Sequence, residues 1–478
     1  MTPAPLDPAL RTELTRVALL LVVAVLSRLL LLPESPFEVD SVLLIRGVEE
    51  FDPTAMRPHP PGYAGVVGLG RLMPLPPDAA LRVLSALAVV PLVGFTWAIA
   101  RALNGRALLA AALVAANPVA WLYGVTENAY ALGAAGAAAV VWTALQARRD
   151  PCWTWGLLLG LLLGVTGALR PSLLLFLAPI AAWGAGRRAP WVLAGAVPVT
   201  AAWVLWAGAA SGGVGAYLSS VWTQFTWIRD GHAPGWRLHQ LHHFGVYGIQ
   251  ALAGGALLLP WIRRPKGDAA WALLLWAGVP LAFHALVYVA KAGYLLSYLP
   301  ALAVLVAVSE RSPVWARVSA VVASAAWFLL PRPIDVDLDP MPKAAFGTKT
   351  WPERIRGELS FLGTASLGRV RTQDRVNQAY TDLLTPVVHS GPTTVVWVDR
   401  WDAALAGHHL PGARVIDPRA QAIEVPTEGI QLVVLSWERP DESFEPIVDP
   451  TGYGAWTRRV ELADLPLTVG RLTAVPVF

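Results

Sequence analysis

An α-helical multi-pass membrane protein carrying a C-terminal α/β domain is the fold class that the sequence predicts, and three observations predict it. Hydrophobic residues are 55% of the 478 and charged residues only 15%, with a mean hydropathy of +0.50, too apolar for a soluble domain of this length. The charges gather in short basic clusters between apolar runs, as at Arg101 and Arg106, Arg148 and Arg149, and Arg263, Arg264 and Lys266. From residue 331 the composition turns polar, and helix and strand patterns alternate. The net charge of +4 lies in clusters that set topology, so nucleic acid is not an indicated partner. The single cysteine, Cys152, excludes an internal disulfide.

The spans follow in order, each oriented by the rule that cytoplasmic loops collect Lys and Arg. Arg11 and Arg16 place the N-terminus inside, and the first apolar run, 14–32, lacks a small-residue cleavage site and stays as the first span. Residues 62–73 are apolar but, at about 1.5 Å per residue, too short to cross, which predicts an interfacial or re-entrant helix. Further spans are expected at 79–100, 107–124 (interrupted by Asn117-Pro118), 132–147, 153–169, 173–186, 191–210, 244–262, 269–290, 294–308 and 314–330. That gives about eleven in all. Long outer loops are expected at 33–78 and 211–243.

Beyond the membrane module, 1–330, a Pro- and Asp-rich linker opens a soluble domain, 331–478, placed outside the cytoplasm by the span count. Within it 369–389 and 403–409 read as helices, and 393–398 and 431–436 as buried strands. It carries no phosphate-cradling glycine loop, CxxC pair or strand-turn-helix Ser motif.

Residues 37–63, FEVDSVLLIRGVEEFDPTAMRPHPPGY, hold the chemistry-bearing cluster nearest a span: Glu38, Asp40, Glu49, Glu50, Asp52, Arg46, Arg57 and His59. A carboxylate at the edge of lipid is costly unless water, a partner or a substrate satisfies it. The orientation puts Asp40, His59, Glu127, Arg170, the His239, His242 and His243 loop, and Lys291 on the outer side. One site holding acids and fixed cations there suits a substrate with an anionic head and a lipid tail. Arg170 and Lys291 would pair with its phosphate, Arg by a bidentate fork and Lys as a point charge. A nearby carboxylate would take the proton of an attacking hydroxyl.

The motif order resembles a known family. Arg57-Pro58-His59-Pro60-Pro61-Gly62-Tyr63, Arg82-Val83-Leu84-Ser85-Ala86, Asn117-Pro118 through Glu127-Asn128-Ala129-Tyr130, Leu169-Arg170-Pro171-Ser172, and Lys291-Ala292-Gly293-Tyr294 through Leu299-Pro300 look like the GT-C glycosyltransferases. The likeness is to the protein O-mannosyltransferase and lipid A aminoarabinose transferase branch, over residues 1–330. It implies a GT-C fold in a plasma membrane and an inverting transferase that uses a polyprenyl-phosphate-linked sugar donor. The acceptor would be a protein, lipid or glycan outside the cytoplasm. Asp40 matches the catalytic acid, where many relatives carry Asp-Glu and this chain has Asp40-Ser41. No metal ligands are assigned; some relatives use a divalent cation and others do not. Arg57, His59, Glu127, Tyr130, Tyr294 and His243 are the expected lining of the substrate site.

Each residue also has a plainer reading. Asp40 suits the N-cap of the helix it opens, His59 a rigid turn, Glu127 a solvated turn, and Arg170 and Lys291 cations reaching headgroups. His239, His242 and His243 share a helical face at metal-ligand spacing, yet with no carboxylate beside them they suit headgroup or acceptor contact. Two other classes remain open: a transporter or flippase for a lipid-linked or anionic substrate, with Arg28 and His284 as its intramembrane charges, and a non-catalytic scaffold presenting the C-terminal domain. Repeats and paired broken helices, which a transporter would display, are not evident.

Overall fold

The computed structural model describes residues 7–150, 152–230, 236–287, 291–309, 311–330 and 365–389. Beyond these it describes 394–398, 403–416, 422–425, 430–435, 445–446, 455–460, 467–469 and 472–476. The protein is mostly helical and spans the membrane many times. Five helical runs are long and apolar enough to cross: Pro77–Ala102, Tyr130–Arg149, Ser172–Ala210, Phe244–Trp261 and Gly267–Leu286. Four shorter apolar helices accompany them: Ala107–Ala116, Trp153–Leu169, Leu299–Val308 and Val314–Leu329.

Local signals set the bounds. Helix α1, Pro8–Leu29, starts where Asp7 Oδ1 accepts Ala9 N–H at 3.0 Å, ahead of Pro8 in the first turn. Next come α2 (Val39–Glu49), α3 (Ala64–Leu72), α4 (Pro77–Leu87) and α5 (Val89–Ala102). Helix α3 is nine residues long, as the short apolar run before Pro74 predicts. Helices α6 (Ala107–Ala116) and α7 (Pro118–Leu122) are one run cut at Asn117-Pro118. Asn117 Oδ1 accepts from Val119 N–H at 2.9 Å, and its amide donates to the Ala251 carbonyl at 2.8 Å. The cut strands the Ala115 carbonyl, whose usual donor four residues on is taken by the Asn117 side chain. Arg28, fully buried on α1, donates to it at 2.8 Å and to the Ala24 carbonyl at 3.0 Å. Its guanidinium lies over the Trp121 ring, which stacks on Phe328.

Helices α8 (Tyr130–Arg149), α9 (Trp153–Leu169), α10 (Ser172–Ala185) and α11 (Ala189–Ala210) follow. Between α10 and α11 only a 3-10 turn, Gly186–Arg188, intervenes, entered at a Gly186 φ of 50°. The backbones of α9 and α11 touch: a Cβ on Gly160 would sit 2.1 Å from the Val192 carbonyl oxygen, and one on Gly195 2.4 Å from that of Leu157.

Residues 211–243, expected as a loop, instead carry α12 (Val214–Asp230) and the start of α13 (Trp236–Leu252). Polarity suggested the loop; the polar side chains here lie on helices. Helices α14 (Gly267–Leu273), α15 (Val279–Leu286), α16 (Leu299–Ser309) and α17 (Val314–Leu329) complete the bundle.

Two compact units divide the chain. The first is the bundle. The second joins residues 34–42 to the C-terminal part from residue 370 onward, so the boundary at 330/331 expected from composition misses the short upstream segment. In this second unit helix α18 (Leu367–His389) precedes β1 (Thr394–Val398), α19 (Ala403–His409), β2 (Arg414–Ile416), β3 (Ala422–Val425), β4 (Ile430–Leu435), β5 (Glu445–Pro446), β6 (Ala455–Val460), β7 (Leu467–Val469) and β8 (Leu472–Pro476). One sheet runs β2-β1-β4-β6-β5, with β1 parallel to β2 and β4, and β6 antiparallel to β4. A second runs β3-β8-β7.

Candidate active site

At one end of the bundle several polar side chains are bonded to one another. Arg82, on α4, is the hub. Its guanidinium meets Glu127 at 2.5 Å, Asp78 at 2.6 Å and the Pro33 carbonyl at 2.9 Å. Asp78 and Arg82 are four apart on one helix, so they share a face, and Arg82 then reaches the turn before α8. Glu127 is 0% exposed. Its turn is therefore not solvated; the carboxylate is out of water and paired, the condition under which a buried charge is tolerated.

Asn128 completes the turn. Its Oδ1 accepts from Tyr130 N–H at 2.7 Å, and its amide donates to the Tyr123 and Thr126 carbonyls at 3.0 and 2.7 Å. That fixes the start of α8 and with it the Tyr130 ring, which packs against Tyr123 and, edge-on, Tyr294. A Cβ on Gly293 would lie 2.7 Å from Tyr130 Cγ and 2.8 Å from Tyr123 Cζ. Only glycine lets these rings close.

Arg170 follows the last residue of α9. Its guanidinium carbon lies 4.5 Å from the Tyr130 ring centroid and 4.5 Å from that of Tyr294, a double cation–π contact. It is 5% exposed. Among the described residues no carboxylate or carbonyl accepts from that side chain. Lys291 is half-buried and precedes the 3-10 helix Ala292–Ser297 that carries Tyr294.

The His-Pro-Pro-Gly-Tyr loop belongs to the same unit. His59 Nδ1 lies 3.0 Å from the Pro60 carbonyl oxygen, and its ring meets Tyr63 edge-on. Tyr217 donates its hydroxyl proton to the Pro61 carbonyl at 2.9 Å. Burial pushes its phenol up to about 12, so it remains a donor. Arg57 is exposed and pairs with Glu50. His239, His242 and His243 lie on α13, with side chains outside the described residues.

Asp40 lies in the second unit, in the first turn of α2, and is partly exposed. Among the described residues no three His, Cys, Asp or Glu side chains gather as metal ligands. Reading the sequence by type singled out Arg170, Tyr130, Tyr294 and Glu127 but assigned no role to Arg82. The Asp78/Arg82 spacing, an acid four residues before a base beside an apolar run, was the available signal.

Residues 58–212 match the family described as dolichyl-phosphate-mannose-protein mannosyltransferase. No curated protein matches. Among solved structures, the chain is similar to ArnT from Cupriavidus metallidurans in the apo state, at 14% identity and a TM-score of 0.61 over 95% of this chain and 98% of that one. The same enzyme bound to undecaprenyl phosphate gives 14% and 0.59, over 93% and 97%. The oligosaccharyltransferase of Archaeoglobus fulgidus gives 13% and 0.43, over 85% and 65%. The family segment covers the His-Pro-Pro-Gly-Tyr loop, Arg82, Glu127, Tyr130 and Arg170, and the fold of the chain resembles that of ArnT.

Proposed function

We propose that the protein transfers a sugar from a polyprenyl-phosphate donor to an acceptor hydroxyl outside the cytoplasm, with inversion. The observation that carries this is Arg170: a buried guanidinium gripped by two tyrosine rings, whose N–H donors are left for an anion. Arg28 and Arg82, the other buried arginines among the described residues, both donate to protein oxygens, Arg28 to two carbonyls and Arg82 to two carboxylates and a carbonyl. A phosphate supplies the oxygens that Arg170 lacks, and the rings hold the fork in one plane for bidentate contact. The bound undecaprenyl phosphate of the similar ArnT supports a lipid phosphate as that anion.

In the reaction the acceptor oxygen attacks the anomeric carbon opposite the phosphate. The sugar–phosphate C–O bond breaks, and the acceptor proton passes to the Asp40 carboxylate. The electron pair leaves on the polyprenyl phosphate, where Arg170, with Lys291 as a second cation, stabilises the charge that develops. Tyr294 and Tyr130 orient Arg170. His59 and Glu127 line the site, as do Arg57 and His243 on the sequence reading. The basic clusters between the apolar runs support an orientation with the N-terminus inside and the site residues outside the cytoplasm, in the plasma membrane that the family resemblance implies.

The test is transfer in proteoliposomes from a panel of polyprenyl-phosphate sugars. Asp40→Asn lowers turnover by about 10²-fold or more with the donor KM held. Arg170→Ala raises the donor KM by about tenfold or more. Wild-type rates in Asp40→Asn remove the base, and an unchanged KM in Arg170→Ala removes the phosphate partner. Translocation of lipid or solute by the wild type, without sugar transfer, returns the transporter reading.

A further inference from the structure

The second unit contains a clasp around the segment that bears Asp40. Helix α18 presents Gln373, Asn377, Tyr380, Leu384 and Val388 along one stripe, at spacings of four, three, four and four. The near end of the segment is held by hydrogen bonds. Asp374 Oδ1 accepts from Ser35 N–H at 3.0 Å and from the Ser35 hydroxyl at 2.8 Å, while Oδ2 accepts from Glu34 N–H at 3.3 Å. Asn377 donates to Ser35 Oγ at 2.8 Å and to the Pro36 carbonyl at 3.0 Å, and its own oxygen accepts from Gln373 at 3.0 Å. Both amide hydrogens and the amide oxygen of this 0% exposed side chain are satisfied.

The far end is held by apolar packing. Val42, 0% exposed, sits in a cluster with Tyr380, Leu384 and Val388 of α18 and Leu405, Ala406 and Leu410 at α19. Residues 35 to 42 are thus tied at both ends to one helix, with Asp40 between the ties. A chain anchored only by its two flanking spans would need neither a buried, fully satisfied Asn nor a carboxylate accepting two backbone N–H groups from it.

We propose that α18 is the frame that sets the position of Asp40, and that Asp374 and Asn377 are positioning residues for transfer. This gives the C-terminal unit a task in the reaction. The inference rests on the reading of Asp40 as the base. A base displaced by about 1 Å loses rate on the order of 10²-fold, so loosening the clasp lowers turnover and leaves donor binding, which belongs to the bundle, as it was.

The experiment uses the full chain in proteoliposomes. Asp374→Ala and Asn377→Ala are each expected to lower kcat about 10- to 100-fold with the donor KM within about twofold. Amide exchange across 34–42 speeds up in both, while Asp374→Asn, which keeps an acceptor oxygen, recovers most of the rate. If Asn377→Ala fails to fold, Ser35→Ala removes the hydroxyl shared by both α18 side chains and carries the same expectation. Unchanged exchange, or faster exchange with unchanged kcat, overturns the frame. The two readings fail separately. Wild-type turnover in Asp40→Asn removes the base whatever α18 does, whereas wild-type turnover in Asp374→Ala and Asn377→Ala beside an inactive Asp40→Asn removes the frame and keeps the base.

Discussion

Removing the Arg82 guanidinium, by Arg82→Met, is the perturbation whose consequences the structure fixes most tightly. Methionine fills much of the volume of the stem but leaves Glu127, 0% exposed, without its arginine. It also frees Asp78 and the Pro33 carbonyl, although Asp78 is nearer water and recovers solvation. The dominant cost falls on the buried carboxylate, which loses its arginine. Breaking one side of a buried ion pair costs about 3–5 kcal/mol. Replacing both partners, Arg82→Met with Glu127→Leu, removes the buried charge together with its arginine and recovers most of that loss, since an apolar pair of similar volume is about neutral. The assay is a double-mutant cycle on midpoints of denaturant-induced unfolding in mixed micelles, read with transfer activity. A coupling energy of about 2 kcal/mol or more is expected, with the double variant folded. A loss below about 1 kcal/mol for Arg82→Met alone refutes the argument, because it would mean that the carboxylate is satisfied without the arginine.

Gly293→Ala drives a methyl into Tyr130 and Tyr123; it loosens the grip on Arg170 and raises the donor KM several-fold, in line with about 1–2 kcal/mol of cation–π contact in a desolvated site. Gly133→Ala, whose Cβ would meet Leu173 at 3.2 Å and Arg170 Cβ at 3.4 Å, is the milder control, and equal KM values for the two refute the point. His409 is held down to about 4 by burial and by neighbouring His408, against the pull of Asp374. Between that value and the usual 6.5 the unfolded chain binds more protons than the folded one, so stability falls as pH drops through this window. Discounted for solvent screening the loss is about 1–2 kcal/mol. The melting midpoint of the C-terminal unit should therefore decline from pH 7 to pH 4, and His409→Asn should flatten that decline. Cys152, half-buried ahead of α9, should react with a membrane-impermeant maleimide only after the cytoplasmic face of right-side-out vesicles is opened; labelling of sealed vesicles reverses the assigned topology.

What could be read in the sequence was local. The bounds of α9 and α19, residues 153–169 and 403–409, coincide with the expected ones because apolar runs there end at Arg or at loop residues that a helix cannot carry into lipid or through a turn. The break at Asn117-Pro118 was equally visible, since proline cannot continue the ladder. The α12 region was misread because polarity was taken for irregular backbone, when a polar helix satisfies its own backbone as well as an apolar one does. Pairing across the chain left no signal. Ser35 and Asn377 are 342 residues apart and Arg82 and Glu127 are 45 apart; each looks like an ordinary polar residue until the fold supplies its partner. For the same reason Glu127 read equally well as a solvated turn, and residues 34–42 were assigned to the membrane module that flanks them rather than to the helix that holds them.

Among the described residues, the buried arginines Arg28, Arg82 and Arg170 differ in what their guanidinium groups meet in a low-dielectric interior. Within the bundle, a helix that ends or breaks strands carbonyl oxygens that no water can satisfy. Arg28 answers the break before Pro118 by donating to the Ala115 carbonyl, and Arg82 binds the Pro33 carbonyl beyond the end of α1 together with two carboxylates. Both cations are explained by the backbone they repair. Arg170 repairs none among the described residues: it follows α9, and its guanidinium lies over two rings that stabilise its charge while accepting no full hydrogen bond. Burying that donor set is expensive in free energy if folding is its only purpose. The cost is offset when an anion with a planar pair of oxygens completes it, and a phosphate at the head of a membrane lipid has that chemistry at that depth.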